Sequence, residues 1–513
     1  MISPDLATEL LASYGSPAYV YDLDRVRAAL ADLRAAVPAE ATLLYSLKAN
    51  PHEDLVAALL SGGCHAEVSS PGELATALRA GADPAEAFYT GPGKTAGELR
   101  TAIAAGVATF SVESLVDLRR VGAVAVELGR EVDCVLRVNG SDAPGDAGMR
   151  MTGAASQFGT DVDVLLDRKA ELAGVRGARV VGFHFFPLTN AADEQSLVTE
   201  MTASIATAST LAEALGIDVR VLDLGGGFAC PFAGPGERPR YQNLRAPLET
   251  ALDERFPGWR QGAPRVLFES GRHLVGDSGT LLCTVTDVKD SRGSRFAVLD
   301  TGINHLGGLS GIGRLLPLSA VPLPVVADGV EAADDPVPTR LVGPLCTPAD
   351  TLGRGTAELP ALRVGQHLAV PNVGAYGATA SLIGFLSRPA AAEIVLSGGE
   401  VASASKLALV RQPVTVEAPA GQRAEETEVD SEAIAWDSRF PEVLRSVLPR
   451  LGEAVTAEVS LRAAGLDSLA LVDLLVRLEE AYDVTIPDHE LTPEAFATPG
   501  GLWQLLASVR ERS

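Results

Sequence analysis

Cysteine, basic charge and long apolar runs are all scarce in this 513-residue chain, and each scarcity closes off a class of protein. The five cysteines (Cys64, Cys134, Cys230, Cys283 and Cys346) are odd in number, widely spaced and without a CxxC pair. That argues against a disulfide framework and a structural zinc site, and it fits a reducing cytosol. No metal is expected. Lys and Arg number 42 against 66 Asp and Glu, a formal net charge of −24, so nucleic acid and anionic membranes are poor partners. No run of about 18 apolar residues offers a membrane span. The opening MISPDLATELLASYG has acids but no basic region of a secretory signal, so the expected location is the cytoplasm. The remaining totals, 47% hydrophobic and 21% charged, are those of a globular enzyme, long enough for roughly two to four domains.

From about residue 41 the chain alternates short β-rich runs with amphipathic segments. The runs are TLLYSL, HAEVS, AFYTG, ATFSV, VDCVLRV, RVVGFHFF, VRVLDL and RVLFE. The segments between them, such as HEDLVAALLSGG, PGELATALRAG and TAGELRTAIAAG, close on glycine as helix C-caps do. Eight strands with helical connections predict an α/β protein built on a (β/α)8 barrel, whose chemistry lies at the C-terminal strand ends. The expected extents are 25–270 for the barrel and 1–24 with 271–412 for a β domain. A flexible linker is expected over 413–430 and a small helical unit over 431–513. The strand-like SPAYVYD before the barrel is assigned to the β domain, and the polar PVTVEAPAGQRAEETEVD to the linker. In the last unit, Asp473, Arg477 and Glu480 mark the wet stripe of an otherwise apolar helix.

The centre of the pattern is YSLKANP, where one lysine, Lys48, stands just past the end of an apolar run. An ordinary lysine there would snorkel to the surface. One whose stem is partly desolvated is expected to lose charge and act as a nucleophilic amine. The other predicted strand ends carry His184, the glycines Gly225, Gly226 and Gly227, and Glu269 to Arg272. Three consecutive glycines let backbone N–H groups close on a phosphate, although a GGG run alone is more often a plain loop.

These motifs together resemble the fold-type III pyridoxal-phosphate (PLP) family, which includes diaminopimelate and ornithine decarboxylases and, more distantly, alanine racemase. The resemblance covers roughly residues 16 to 412. It implies that YSLKANP supplies the Schiff-base lysine, Lys48, and that DLGGGF holds the PLP phosphate. ESGR resembles the family's EPGR, implying that Glu269 pairs with the pyridine nitrogen and that Gly271 and Arg272 contact the phosphate. Racemases of this fold have an arginine where Glu269 stands, so the carboxylate favours decarboxylation. GPLCTPAD and VGAYGA match motifs that imply roles for Cys346, Asp350 and Tyr376, with Cys346 and Tyr376 expected from the partner subunit of a homodimer.

Two departures stand out. Phe186 occupies the place of a histidine that stacks on the cofactor ring, while His184 matches a less central histidine or is simply a satisfied core residue. Thr347 replaces the acid that faces the distal amine of diamino substrates, so lysine-, ornithine- and diaminopimelate-like substrates are disfavoured. GMRMTGAASQFG and DTGINHLGGLSGIGR look closest to a subgroup that decarboxylates aminoacyl groups tethered to carrier proteins in specialised, natural-product metabolism.

In the last unit, GLDSLALVDLLVRLEEAYDVTIPD resembles the acyl carrier protein family, a four-helix bundle. The resemblance implies that Ser468 receives 4′-phosphopantetheine from a phosphopantetheinyl transferase. A helix N-terminus suits a phosphodiester there. From residue 431 onward the unit has 14 acidic and 7 basic residues, consistent with basic docking partners. The expectation is therefore a PLP-dependent decarboxylase of an aminoacyl thioester, with Lys48, Glu269 and Cys346 catalytic. The alternatives are a decarboxylase of a free amino acid whose carrier serves a later step, and a non-catalytic PLP-binding or carrier scaffold.

Overall fold

The computed structural model describes residues 2–139, 156–310, 319–325, 335–353 and 355–411, then 436–448, 451–452, 455–461, 464, 466, 468–482, 484, 486 and 496–510. The linker expected over 413–430, most of GMRMTGAASQFG and the end of DTGINHLGGLSGIGR lie outside the described residues. The chain divides into two compact units, Met1–Arg411 and Gln412–Ser513.

All eight expected runs are strands: β1 (Thr42–Ser46), β2 (His65–Val68), β3 (Phe88–Tyr89), β4 (Thr109–Val112), β5 (Val132–Asn139), β6 (Ala178–His184), β7 (Val221–Asp223) and β8 (Arg265–Ser270). They pair in parallel in the order β4-β3-β2-β1-β8-β7-β6-β5, and β4 also pairs with β5, which closes the barrel. Three of the connecting helices start where a side-chain oxygen serves an orphan N–H group. Ser70 and Ser114 accept from Glu73 N and Asp117 N, and Thr95 with Glu98 forms a full capping box. Each such cap is worth about 1 kcal/mol.

Strand alternation then sorts the side chains. Leu44, Phe88, Val135, Val181, Val221 and Leu267 form one buried cluster, separate from the larger core that holds their sequence neighbours Tyr45, Leu136 and Phe268. Because a strand has a period of two, these six face inward and plug the barrel. Two residues further along the same strands, on the same face, come Ser46, Arg137, Asp223 and Glu269. The barrel thus carries an apolar floor with a polar layer above it.

The second sheet of this unit contains Gly279–Ser291, Ser294–Leu299, Val337–Val342, His367–Pro371, Ala392–Ser397 and Glu400–Lys406. The N-terminal strand Ala18–Asp22 lies between Gly279–Ser291 (antiparallel) and Ala392–Ser397 (parallel), as SPAYVYD suggested. A helix over Pro4–Tyr14, capped by Ser3 and begun by Pro4, escaped the sequence reading. It packs Ala7, Leu10 and Leu11 on the sheet.

The C-terminal unit has three helices among the described residues: Arg439–Val447, Ser468–Tyr482 and Pro499–Arg510. Phe440, Leu444, Leu474, Leu478, Leu502 and Leu506 form its core. Asp473, Arg477 and Glu480 are exposed, with Arg477 Nε 3.0 Å from Asp473 Oδ1. Among the described residues no helix is long and apolar enough to cross a membrane.

The turn after β8 is fixed by a buried imidazole. His273 Nδ1 donates to Ala229 O at 2.9 Å, and Arg238 Nη1 stands 3.0 Å from Nε2. Burial, reinforced by Arg238, lowers His273 to about 4. Between that value and about 6.5 the unfolded chain binds a proton that the folded chain does not. Stability from this group is therefore complete above about pH 6.5 and falls as pH drops towards 4, by about 3 kcal/mol. Urea denaturation at pH 7 and pH 4.5 should show a smaller acid loss in His273→Gln than in the parent. Equal losses would show that the imidazole does not carry this dependence.

Candidate active site

The polar layer at the C-terminal ends of the strands forms a site to which several strand ends contribute side chains. Lys48 lies on the short turn Leu47–Ala49 after β1. Tyr45 Oη donates to Asn50 O at 2.7 Å, and Asn50 Nδ2 donates to Gly374 O at 2.9 Å. The turn is thereby fastened both to its own strand and to the loop from the second sheet. Glu67, on β2, has one oxygen 3.7 Å from Lys48 Nζ. Phe186, following β6, has its ring centroid 5.4 Å from Nζ and 5.8 Å from the guanidinium carbon of Arg137 on β5. Arg137 in turn binds Glu113 at 3.0 Å.

His184 ends β6, 1% exposed, with Nδ1 2.7 Å from Ser111 Oγ. Its Nε2 faces Glu269 Oε1 at 3.3 Å and Asp223 Oδ2 at 4.0 Å. It is therefore not an isolated core histidine. Burial, with Arg137 and Lys48 nearby, pushes its pKa well below the usual value, so the ring is neutral. Burial, with Glu67 and Asp223 adding repulsion, lifts Glu269 well above the carboxylate range. Burial raises Asp223 to about 7 although it accepts the Gly225 N–H at 2.8 Å.

Lys48 departs from expectation. Burial does oppose its charge, but 43% of its side-chain surface is open, and the fields of Glu67 and then Glu269 prevail. The net shift is upward, so the amine is held as an ammonium. The expected loss of charge considered only the apolar run before the lysine and missed two carboxylates brought in by other strands.

The glycine loop is tightly enclosed. A Cβ on Gly225 would lie 2.2 Å from Phe185 O, and one on Gly226 2.2 Å from Glu269 O, while Gly225 and Gly227 have φ of 68° and 99°. Side chains are excluded by contact and by backbone conformation together. A Cβ on Gly271 would come within 2.8 Å of Ala49 Cβ, which packs the ESGR turn against the lysine turn. The Arg272 guanidinium is 4.8 Å from the Tyr376 ring centroid, and Tyr376 N donates to Ala49 O at 2.7 Å. Tyr376 was expected from a partner subunit; the structure instead places it in its own chain's site, because its backbone is hydrogen-bonded beside Lys48.

Cys346 is exposed on the turn after Val337–Val342. Among the described residues no hydrogen bond joins it to Lys48, His184 or Glu269. Asp350, from the same motif, is buried and accepts from Leu345 N and Ile303 N at 2.7 and 2.8 Å, which shapes that turn. Glu67, Ser111, Arg137 and Asp223 were missed as site residues. Their signal was present: each is a polar residue at an inward position near the end of an otherwise apolar strand.

The residues fit PLP. Buried Glu269 Oε1 has no hydrogen-bond partner, which fits an oxygen that would meet a ring nitrogen, and the glycine loop leaves room only for backbone against a phosphate. His184, Asp223 and Glu269 bring three donor atoms within 4.8 Å of one another, a set that a cation would also accept. The adjacent lysine and glycine loop favour an aromatic aldehyde phosphate.

Comparison with known proteins agrees. Residues 23–276 match the family described as "Pyridoxal-dependent decarboxylase, pyridoxal binding domain", and residues 438–506 match "Phosphopantetheine attachment site". An L-glutamyl-[BtrI acyl-carrier protein] decarboxylase from Niallia circulans is 28% identical over 400 residues, covering 76% of this chain and 91% of that protein. A diaminopimelate decarboxylase from Pseudomonas aeruginosa is 31% identical over 395 residues, covering 75% and 88%. The solved structure of Helicobacter pylori diaminopimelate decarboxylase complexed with L-lysine aligns with a TM-score of 0.66 at 26% identity, covering 77% of this chain and 94% of that one.

Borohydride reduction of the holoenzyme, followed by peptide mapping, should find the cofactor fixed at Lys48 and nowhere in Lys48→Ala. Gly226→Ala should lower cofactor affinity at least tenfold, about 1.4 kcal/mol or more. Covalent label in Lys48→Ala, or undiminished affinity in Gly226→Ala, would contradict this assignment.

Proposed function

The chain belongs to the pyridoxal-dependent decarboxylase family, and from that premise we propose that it decarboxylates an amino acid held as a thioester on a phosphopantetheinyl carrier domain. The observation that carries this reading is the union, in one chain, of a decarboxylase site with a phosphopantetheine attachment domain. The Niallia circulans relative, named for a glutamyl group on an acyl carrier protein, supports it and makes L-glutamyl the first substrate to test. The setting would be specialised metabolism, with a phosphopantetheinyl transferase as the activating partner.

PLP supplies an electron sink for the pair left at Cα when carbon dioxide departs. Each residue then has a defined task. Lys48 holds the cofactor and yields its place to the substrate amine. Glu269 keeps the ring nitrogen protonated. Phe186, whose ring centroid is 5.4 Å from Lys48 Nζ, would face the cofactor ring without a titrating group. Gly225, Gly226, Gly227, Gly271 and Arg272 hold the phosphate, with Tyr376 packed against Arg272, and His184 supports Glu269. Cys346, delivered by the partner of a homodimer, or Lys48 returns a proton to Cα.

Thr347 offers no charge to a distal substrate group, so side-chain recognition is weak. Ser468 opens the helix Ser468–Tyr482, and its N–H groups favour the phosphodiester. Tethering supplies an effective concentration of about millimolar, which makes a weak pocket sufficient.

Ser468→Ala should keep its cofactor and fold yet lose turnover of carrier-bound substrate, measured by intact-protein mass spectrometry. A separately supplied, loaded carrier domain should restore part of it at high concentration, while free amino acids react poorly with either form. Decarboxylation of a free amino acid by Ser468→Ala as fast as by the parent would establish the free-substrate reading instead. For the shared site, inactive Lys48→Ala mixed with inactive Cys346→Ala should regain activity. Absence of rescue despite demonstrated subunit exchange would remove the partner's cysteine from the scheme.

A further inference from the structure

Glu67 is a buried carboxylate that the reaction scheme leaves without a task. Its side chain is 1% accessible. The Thr90 hydroxyl donates to Oε1 at 2.5 Å, and Ser69 Oγ stands 3.5 Å from the same oxygen. The Ser69 and Thr90 hydroxyls are themselves 2.8 Å apart. Oε2 has no hydrogen-bond partner and lies 3.7 Å from Lys48 Nζ. One oxygen is therefore fastened, and the other is directed at the amine. Burying a carboxylate in this way is costly unless a cation compensates it.

The other charged or titratable groups around Nζ come from several elements. Glu269 on β8 and Tyr376 on its loop favour the ammonium, and Arg137 on β5 opposes it. Glu73, on the helix after β2, is also within reach of the lysine's field. Among these, Glu67 exerts the strongest stabilising field on the lysine. Its own acidity points the same way: burial should raise it, yet Lys48 and then hydrogen bonds hold it below the usual carboxylate value.

We propose that Glu67 is a positioning residue that keeps a proton on the Lys48 nitrogen, both in the free lysine and when that nitrogen is bonded to the cofactor. Lys48 then acts as an acid between turnovers, and the charge on Nζ is set by β2 rather than by the apolar strand that carries the lysine.

The test is a spectroscopic pH titration of the holoenzyme, following the visible band that depends on a proton on the cofactor-bound Nζ. Glu67→Gln preserves shape and can still accept from Thr90. It should lower the midpoint for loss of the band by at least about one pH unit, a tenfold weaker hold on the proton. Glu67→Asp, which keeps the charge, should fall between Gln and the parent. An unchanged midpoint in Glu67→Gln would show that Glu67 only packs against Thr90 and would overturn the proposal.

Should Glu67→Gln fail to fold, the parent chain stripped of cofactor gives a second measurement. Acetic anhydride labelling of Lys48 should reach half its maximum at a pH above about 10.4, the midpoint of an ordinary lysine. A midpoint at or below that value would equally overturn it. Neither measurement uses a substrate, so both stand apart from the question of a tethered one.

Discussion

The structure depends on keeping three carboxylates, Glu67, Asp223 and Glu269, ringed around one barrel mouth over an apolar floor. Two unit charges 4 Å apart interact by about 4 kcal/mol at the effective dielectric of a protein interior near its surface. Three unpaired anions could not persist there together. The fold answers in two ways. Lys48 and Arg137 supply cations, and burial drives Asp223 and Glu269 towards their neutral forms, leaving Glu67 as the ionised member beside the lysine. A pyridine nitrogen placed at Glu269 would take up the proton of that carboxyl, pairing a pyridinium cation with a carboxylate. The same electrostatic demand thus favours a cofactor whose ring nitrogen is a base.

The fold was legible because its signals are local. Three barrel strands are followed by helices capped at Ser70, Thr95 and Ser114, and each of these caps lies within three residues of the N–H it serves. Even β3, only Phe88–Tyr89, was found because helices bracket it. Pro4–Tyr14 was overlooked although Ser3 and Pro4 announce it. The glycine loop and the ESGR turn were legible for a related reason: glycines with no room for a Cβ are a backbone requirement written directly into residue type.

The electrostatics were not legible, because they belong to pairs far apart in the chain. Lys48 looks like an amine ready to lose its proton when only TLLYSL is considered, and the opposite once β2 and β8 bring Glu67 and Glu269 beside it. Tyr376 is another such case. Its motif was visible, but which subunit's site it serves was decided by one backbone bond to Ala49. The period-two rule would have recovered much of this. Leu44, Val135, Val221 and Leu267 form the floor, and the next inward positions are Ser46, Arg137, Asp223 and Glu269. Inward polar residues above an inward apolar layer have no structural use in a barrel unless something binds there.

The carrier domain changes what the pocket must achieve. A decarboxylase of free amino acids has to recognise the side chain with its own charges, and Thr347 offers none. A thioester also removes the negative charge of one carboxylate from any dicarboxylic substrate, which lessens its repulsion from a mouth already crowded with acids. With the acyl group delivered on a tether, the barrel needs only to align the amine and the departing carboxylate relative to the ring. Specificity can then be shared between the carrier that is accepted and the reaction that loads it. That division is compatible with a site that has Lys48, Glu269 and the glycine loop but an uncharged Thr347.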